Sequence, residues 1–166
     1  MTMTRPKAAK QAKDTLEIRS ARDSDVPGIL GLINDHARRG NLLPRSPQSV
    51  YQGIHDWIVA EQTGRVWGCV SLLRYTSGLV EVRSLAVHDD VQGNGIGSKL
   101  VQELIAEARR REIPTLFALT RSVSFFQRCG FTVTDISIFP EKVFHDCRIC
   151  PVRNRCDETA VILRLK

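Results

Sequence analysis

Three glycines fall within six residues at Gln92-Gly93-Asn94-Gly95-Ile96-Gly97, between an apolar strand-like run and an amphipathic helical one. Glycine leaves main-chain N–H groups unobstructed, and a helix starting there adds unsatisfied donors and the positive end of its dipole. The chemistry open to such a turn is the binding of phosphate oxygens. The spacing is not that of a P-loop, because no Gly-Lys-Ser/Thr follows. The Gly-x-Gly-x-Gly pattern also lacks the acidic residue that closes the following strand of a dinucleotide site. A second chemistry-bearing group is His145-x-Cys147-x2-Cys150-x5-Cys156. A Cys-x2-Cys pair with a third cysteine and a histidine is metal-like in type and number, yet its second half does not keep zinc-finger spacing. Buried structural thiols or a closed loop rank first for this segment, a metal second, and oxidation of the pair to a disulfide third.

The rest of the chain must position these groups. Its 166 residues suit one domain with a sizeable core, and 42% apolar with 25% charged residues is ordinary for a globular protein. No run approaches the ~18–20 apolar residues of a membrane span. Met1-Thr2-Met3-Thr4-Arg5-Pro6-Lys7 leads into no apolar segment of a secretory signal. An integral membrane protein is therefore excluded, and five cysteines, an odd count without a signal, favour a reducing compartment and a cytoplasmic location. The net charge of +6 is uneven. Residues 1–14 carry Arg5, Lys7, Lys10 and Lys13 against Asp14, and the remaining chain holds 20 basic against 17 acidic residues. The tail reads as a disordered, solvated arm, and a mildly basic body suits a small polyanion better than a nucleic-acid track.

From residue 15 the pattern is regular. Leu16 to Arg19 reads as a strand, followed by a helix from Asp23-Ser24-Asp25 to Gly40 and a loop over Asn41 to Pro47. Ser46 or Pro47 opens a short helix through Val50, Tyr51, Ile54 and His55. Trp57 to Ala60 and Arg65 to Leu73 form a hairpin across Gln62-Thr63-Gly64, and Leu79 to Val87 is a long strand. The helix after the glycines carries Ile96, Leu100, Val101, Leu104, Ile105 and Ala108 on one face. Then come a strand at Thr115–Thr120, a short helix from Ser122 to Cys129, a strand from Phe131 to Ile136 and a last strand at Ala160–Leu165. The order is that of one α+β domain on a central mixed sheet.

These residues resemble the GNAT acetyltransferase superfamily. Its acyl-CoA motif, Arg/Gln-x-x-Gly-x-Gly/Ala after a strand ending in Ala-Val, fits Ala86-Val87 and Gln92 to Gly97 at every defined position. Ser124-Phe125-Phe126-Gln127-Arg128-Cys129-Gly130-Phe131 matches a second motif, a short helix ending in Gly-Phe. The resemblance spans residues 15–166 and implies a GNAT fold of about seven strands and about four helices, with a cysteine-containing connection at 139–157. It further implies that acetyl-CoA is held by Leu85, Ala86, Val87, Gln92, Gly93, Asn94, Gly95, Ile96, Gly97 and Ser98. The pyrophosphate would lie on the glycine turn and the pantetheine along Leu85 and Val87, with the Leu85 N–H facing the thioester oxygen. Glu81 stands where several members place the glutamate that deprotonates the amine, directly or through water. A strand glutamate paired with Arg83, on the same face, is the bland alternative. Phe126 replaces the tyrosine that usually serves the leaving thiolate. No metal is required for this chemistry.

A closer resemblance is to short-form N-acetylglutamate synthases. It rests on Leu42-Leu43-Pro44-Arg45-Ser46, Glu81 to Val87, Phe117-Ala118-Leu119-Thr120, Phe125-Phe126, and Pro140 to Cys147 running into Cys150-Pro151 and Cys156-Asp157-Glu158. It implies acetylation of the α-amine of glutamate, the first step towards arginine, and a homodimer. Glutamate carries two carboxylates, so fixed cations are demanded, and Arg45, Arg83 and Lys142 are the substrate-binding candidates. Another amino acid, a small amine or a protein amine as acceptor, or a non-catalytic CoA-binding module, are the rival readings.

Overall fold

Period-two apolar patterning builds seven strands and period-3.6 patterning four α-helices, in a computed structural model that describes residues 15–139 and 157–165. The strands are β1 (Glu17–Ser20), β2 (Trp57–Gln62), β3 (Arg65–Thr76), β4 (Leu79–Val87), β5 (Thr115–Thr120), β6 (Thr132–Val133) and β7 (Thr159–Arg164). The helices are α1 (Val26–Arg38), α2 (Pro47–Gln52), α3 (Ile96–Arg110) and α4 (Val123–Arg128). The expected α+β class with a seven-stranded mixed sheet is what the described residues form. The basic tail, Lys142, His145, Cys147, Cys150 and Cys156 lie outside them.

The sheet runs β1-β2-β3-β4-β5-β7-β6, antiparallel throughout except for β4 beside β5. One face carries α3, whose Leu100, Val101, Leu104 and Ala108 are wholly buried against Val70, Val80, Leu116 and Val161. Burying each leucine contributes about 2–3 kcal/mol. On the other face α1 packs Ile29 and Ile33 onto Val59 and Cys69, while Phe117 and Phe139 stack with centroids 4.4 Å apart beyond it.

Local signals set most ends. Ser46 caps α2 by accepting the Ser49 N–H at 3.2 Å, and Gly53 ends that helix before a 3-10 turn over Ile54–Asp56. Asp25 precedes α1 but does not cap it with its side chain. Its carboxylate grips Arg19 in a fork of 2.7 and 2.9 Å and accepts the Arg22 N–H. The strand expected from Phe131 to Ile136 is only Thr132–Val133, because Asp135 accepts the Ser137 N–H at 2.9 Å and turns the chain into a 3-10 turn over Ile136–Ile138.

Candidate active site

The site begins where two strands part. β4 and β5 pair only at Val80–Leu116 and Glu81–Phe117, and then both run on without pairing. Across β4, pairing with β3 shifts between Cys69–Ala86 and Ser71–Arg83, so β4 holds one residue more than β3 there. The extra length is a bulge at Ser84, whose φ of +56° is left-handed. Buried β3 side chains serve its carbonyls: the Cys69 thiol donates to Ser84 O at 3.6 Å, and the Ser71 hydroxyl to Arg83 O at 3.3 Å. Burial pushes the Cys69 thiol up to about 12, so it acts here as a neutral donor.

The bulge flips the alternation. Val80, Val82, Leu85 and Val87 belong to the α3 face, whereas Ala86 is 2% exposed in the core under α1. Glu81 and Arg83 share that second face, by odd-even spacing upstream of the bulge. The His88 N–H donates to Trp67 O at 2.8 Å, so the main chain of Leu85 and Val87, out of phase with it, faces away from β3 and into the gap. There Val87 O accepts from the Gln92 side chain at 3.2 Å and from His36 Nε2 at 3.1 Å, which fixes the proton of that imidazole on Nε2.

Past β4, a 3-10 turn over Asp89–Val91 leads into the glycines. Gly93 and Gly95 have φ of +86° and +76°, and nothing lies within 4 Å of where a Cβ would stand at either. Glycine is required by conformation at these positions, and the space beside them is open. Gly95 precedes α3 with no side-chain cap, leaving the first N–H groups of the helix aimed into that space. The resulting cleft holds about 1110 Å³. Gln92, Gly93, Gly95, Ile96, Gly97 and Ser98 line it from below, Leu85 and Val87 from β4, and Phe125, Phe126 and Arg128 from α4. Asn94 and Ala86 are not among the residues that line it. The Ser98 hydroxyl is turned onto Cys129, whose thiol burial pushes up. An open glycine cradle at a helix start, with apolar walls beyond it, fits a pyrophosphate followed by an extended acyl-carrying arm.

At the other end the cleft is ionic. Glu81 sits at the last β4–β5 rung, 8% exposed, with Arg83 Nε 3.9 Å from its Oε2 and the Tyr75 hydroxyl donating to the same oxygen at 2.8 Å. Arg45 reaches Ser84 Oγ with its Nε at 3.4 Å, tying the loop after α1 to the bulge. Arg121, after β5, donates to Asp157 at 2.6 Å and lies on the cleft wall beside Glu158. Burial pushes the Glu158 carboxyl up, and Arg121 opposes it. Glu81, Arg45 and Arg83 are thus brought together, while Lys142 lies outside the described residues. Among those residues no cluster of His, Cys, Asp or Glu could hold a metal ion, and Cys69 and Cys129 are free thiols. Sequence reasoning missed His36, Tyr75 and Arg121. His36 extends the apolar stripe of Leu32 and Ile33, which made it readable as a position facing the sheet; the other two stand at strand ends and carried no signal.

The model of the acetyltransferase (GNAT) family matches residues 32–131. An uncharacterized N-acetyltransferase of Chlorobaculum tepidum is 36% identical over 93% of this chain and 99% of its own. The amino-acid acetyltransferase of Mycobacterium tuberculosis is 36% identical over 79% of this chain and 77% of its own. Among solved structures, a Mycobacterium tuberculosis protein in complex with CoA superposes with a TM-score of 0.77 and 30% identity, covering 90% of this chain and 99% of that one. N-acetylglutamate synthase from Neisseria gonorrhoeae, complexed with coenzyme A and N-acetyl-glutamate, superposes with a TM-score of 0.80 and 30% identity. That match covers 95% of this chain but 36% of the longer one. No helix among the described residues is long and apolar enough to cross a membrane.

Proposed function

Because this chain belongs to the acetyltransferase (GNAT) family and is an acetyl-CoA-dependent N-acetyltransferase, we propose that its acceptor is the α-amino group of L-glutamate, with Glu81 as general base. The observation that carries this reading is the ionic end of the cleft. A carboxylate shielded from water stands where β4 and β5 part, in a wall that also presents Arg45, Arg83 and Arg121. A dicarboxylate acceptor needs cations on both sides of its amine, and guanidinium groups offer the matching forks. The amino-acid acetyltransferase of M. tuberculosis supports an amino acid as acceptor, and the N. gonorrhoeae enzyme complexed with N-acetyl-glutamate supports glutamate. The reaction would be the first step towards arginine, in the cytoplasm, by a homodimer whose mass light scattering would report.

Acetyl-CoA supplies the acetyl group as a thioester. The acceptor arrives mostly as an ammonium ion at neutral pH, so a proton must leave before nitrogen can form its bond to the acetyl carbon. Glu81 takes that proton, directly or through one water. The Leu85 N–H, directed into the gap by the bulge, meets the negative charge that develops on the acetyl oxygen. Phe126 has no hydroxyl, so the proton that the departing sulfur gains comes from elsewhere.

Initial rates of CoA release, run across the twenty amino acids singly, test the reading. A saturable preference for L-glutamate is the expected outcome. Preference for another amine would overturn the acceptor, and no turnover with any amino acid, while acetyl-CoA still binds, would overturn the amino-acid class.

A further inference from the structure

A second bulge lies beside the first. β3 and β4 pair Arg74 with Val80 and Thr76 with Leu79, so β3 spends two residues where β4 spends one, and Tyr75 is the residue left over. Such a bulge re-aims a side chain. Leu73, not Tyr75, stands opposite Glu81 in the ladder. Yet the Tyr75 ring is turned over that site, 5.7 Å from the Phe117 ring, and its hydroxyl donates to Glu81 Oε2 at 2.8 Å. Phe117 is wholly buried and is itself paired with Glu81 at the last rung of the β4–β5 ladder. The phenol is therefore held by packing, and its bond to the carboxylate is built rather than incidental.

We propose that Tyr75 is a positioning residue for acetyl transfer: its hydroxyl holds one oxygen of Glu81 and so fixes the aim of that carboxylate towards the acceptor amine. The proposal rests on Glu81 as the base. A glutamate turns about three side-chain bonds, and aim lost there is rate lost. A tyrosine hydroxyl is a donor that brings no charge, so it orients the carboxylate without adding another cation to a wall that already presents Arg83 from β4, Arg45 from the loop after α1 and Arg121 after β5. Among the described residues, His36 on α1 and Glu158 before β7 are the other titratable groups of that wall. All of them stay in place when only the hydroxyl is removed. A hydrogen bond given to the charged form stabilises it, so its loss moves the titration of Glu81 upward.

Tyr75→Phe keeps the ring and its contact with Phe117. Two readouts are paired: kcat/KM against pH with L-glutamate as acceptor, and 13C NMR titration of glutamate-labelled protein, with Glu81→Gln identifying the Glu81 resonance. The resonance and the acid limb are expected to move up together by roughly one pH unit, the size set by one hydrogen bond to a charged group. The plateau kcat should fall roughly 5- to 20-fold, with the KM for acetyl-CoA unchanged. An unmoved resonance in the folded variant overturns the proposal and leaves the base assignment standing. A Glu81→Gln enzyme with wild-type kcat overturns the base assignment, and the proposal with it. Should Tyr75→Phe unfold, 3-fluorotyrosine in a Tyr51→Phe background labels Tyr75 alone, since the chain has 2 tyrosines. Its stronger donor should move the limb down, and an unmoved limb there likewise overturns the proposal.

Discussion

Gly97→Ala and Gly95→Ala together separate a turn that merely needs small residues from one whose left-handed backbone holds a ligand. Gly97 is the second residue of α3 and is not among the glycines with positive φ. A Cβ built there would lie 3.5 Å from the Phe125 ring and 3.8 Å from Val87 Cγ2, ordinary van der Waals distances, so the protein itself accommodates alanine. Alanine in place of helical glycine stabilises by up to about 1 kcal/mol. The added methyl points into the passage between α4 and β4. The hydrogen bond that the residue 97 N–H gives survives the change, since a residue's own Cβ does not obstruct its amide and the acyl-CoA motif takes glycine or alanine at this position. Losing one hydrogen bond to a charged group costs about 1.5–3 kcal/mol, a weakening of roughly 10- to 100-fold. Gly95→Ala is the contrasting change. It has open space at its Cβ but a φ of +76°, where alanine is strained by about 1–2 kcal/mol. Thermal unfolding without ligand should show Gly97→Ala at or above wild type and Gly95→Ala about 2–8 °C below it. Calorimetry with CoA should show Gly97→Ala near wild type and Gly95→Ala, whose turn must shift to relieve its strain and so misaims a donor, binding roughly 10- to 100-fold more weakly. Wild-type CoA affinity in a folded Gly95→Ala protein would refute the idea that the glycine turn at the start of α3 holds the pyrophosphate.

Glu81→Gln should lower kcat by about 10²–10⁴-fold with the KM for acetyl-CoA little changed, read by steady-state CoA release. Arg45→Lys should raise the KM for glutamate roughly tenfold, because an ammonium cannot reproduce a fork, and leave acetyl-CoA binding alone. Cys69, with its thiol pushed up to about 12 by burial, should escape iodoacetamide at pH 8 in the native protein and be alkylated in denaturant, as peptide mass spectrometry would record. For Asp25, burial raises the carboxyl, but the Arg19 fork and the Arg22 N–H outweigh it and hold it below the ordinary range. A depressed folded value means that this stability is present above pH ~4 and lost as pH falls through the folded value. Asp25→Asn should therefore cost about 3 kcal/mol at pH 7 in urea unfolding and converge with wild type towards pH 2.

The elements that periodicity could specify were legible. The α3 face reads off as Ile96, Leu100, Val101, Leu104, Ile105 and Ala108, and each is buried. The glycine cradle was legible too, because positive φ leaves a compositional mark at Gly93 and Gly95. The strand end near Asp135 was not, since a side chain that bonds its neighbour's N–H competes with the ladder without altering the hydrophobic pattern. Asp25, at the N-cap position of α1, gives its side chain instead to Arg19 upstream of it, a pairing that only the tertiary fold decides.

The deeper limit lies in the bulges. Counting by twos along β4 would put Glu81, Arg83, Leu85 and Val87 on one face. The extra residue at Ser84 breaks that count, sending Leu85 and Val87 towards α3 and leaving Glu81 and Arg83 with the face of α1. The functional consequence is a division of labour along one strand. Past the bulge, the main chain of Leu85 and Val87 looks into a gap that β5 has vacated; before it, a carboxylate and guanidinium groups line the gap's closed end. The second bulge, at Tyr75, repeats the device one strand away by swinging a hydroxyl onto Glu81 from a position that does not face it in the ladder. Neither bulge carries a glycine, and the left-handed residue of the first is a serine, so nothing in composition announces them. They are held from behind instead, the first by the Cys69 and Ser71 side chains and the second by the Phe117 ring. Those residues pass as ordinary core and strand positions in the sequence, yet they decide which way the chemistry of β4 faces.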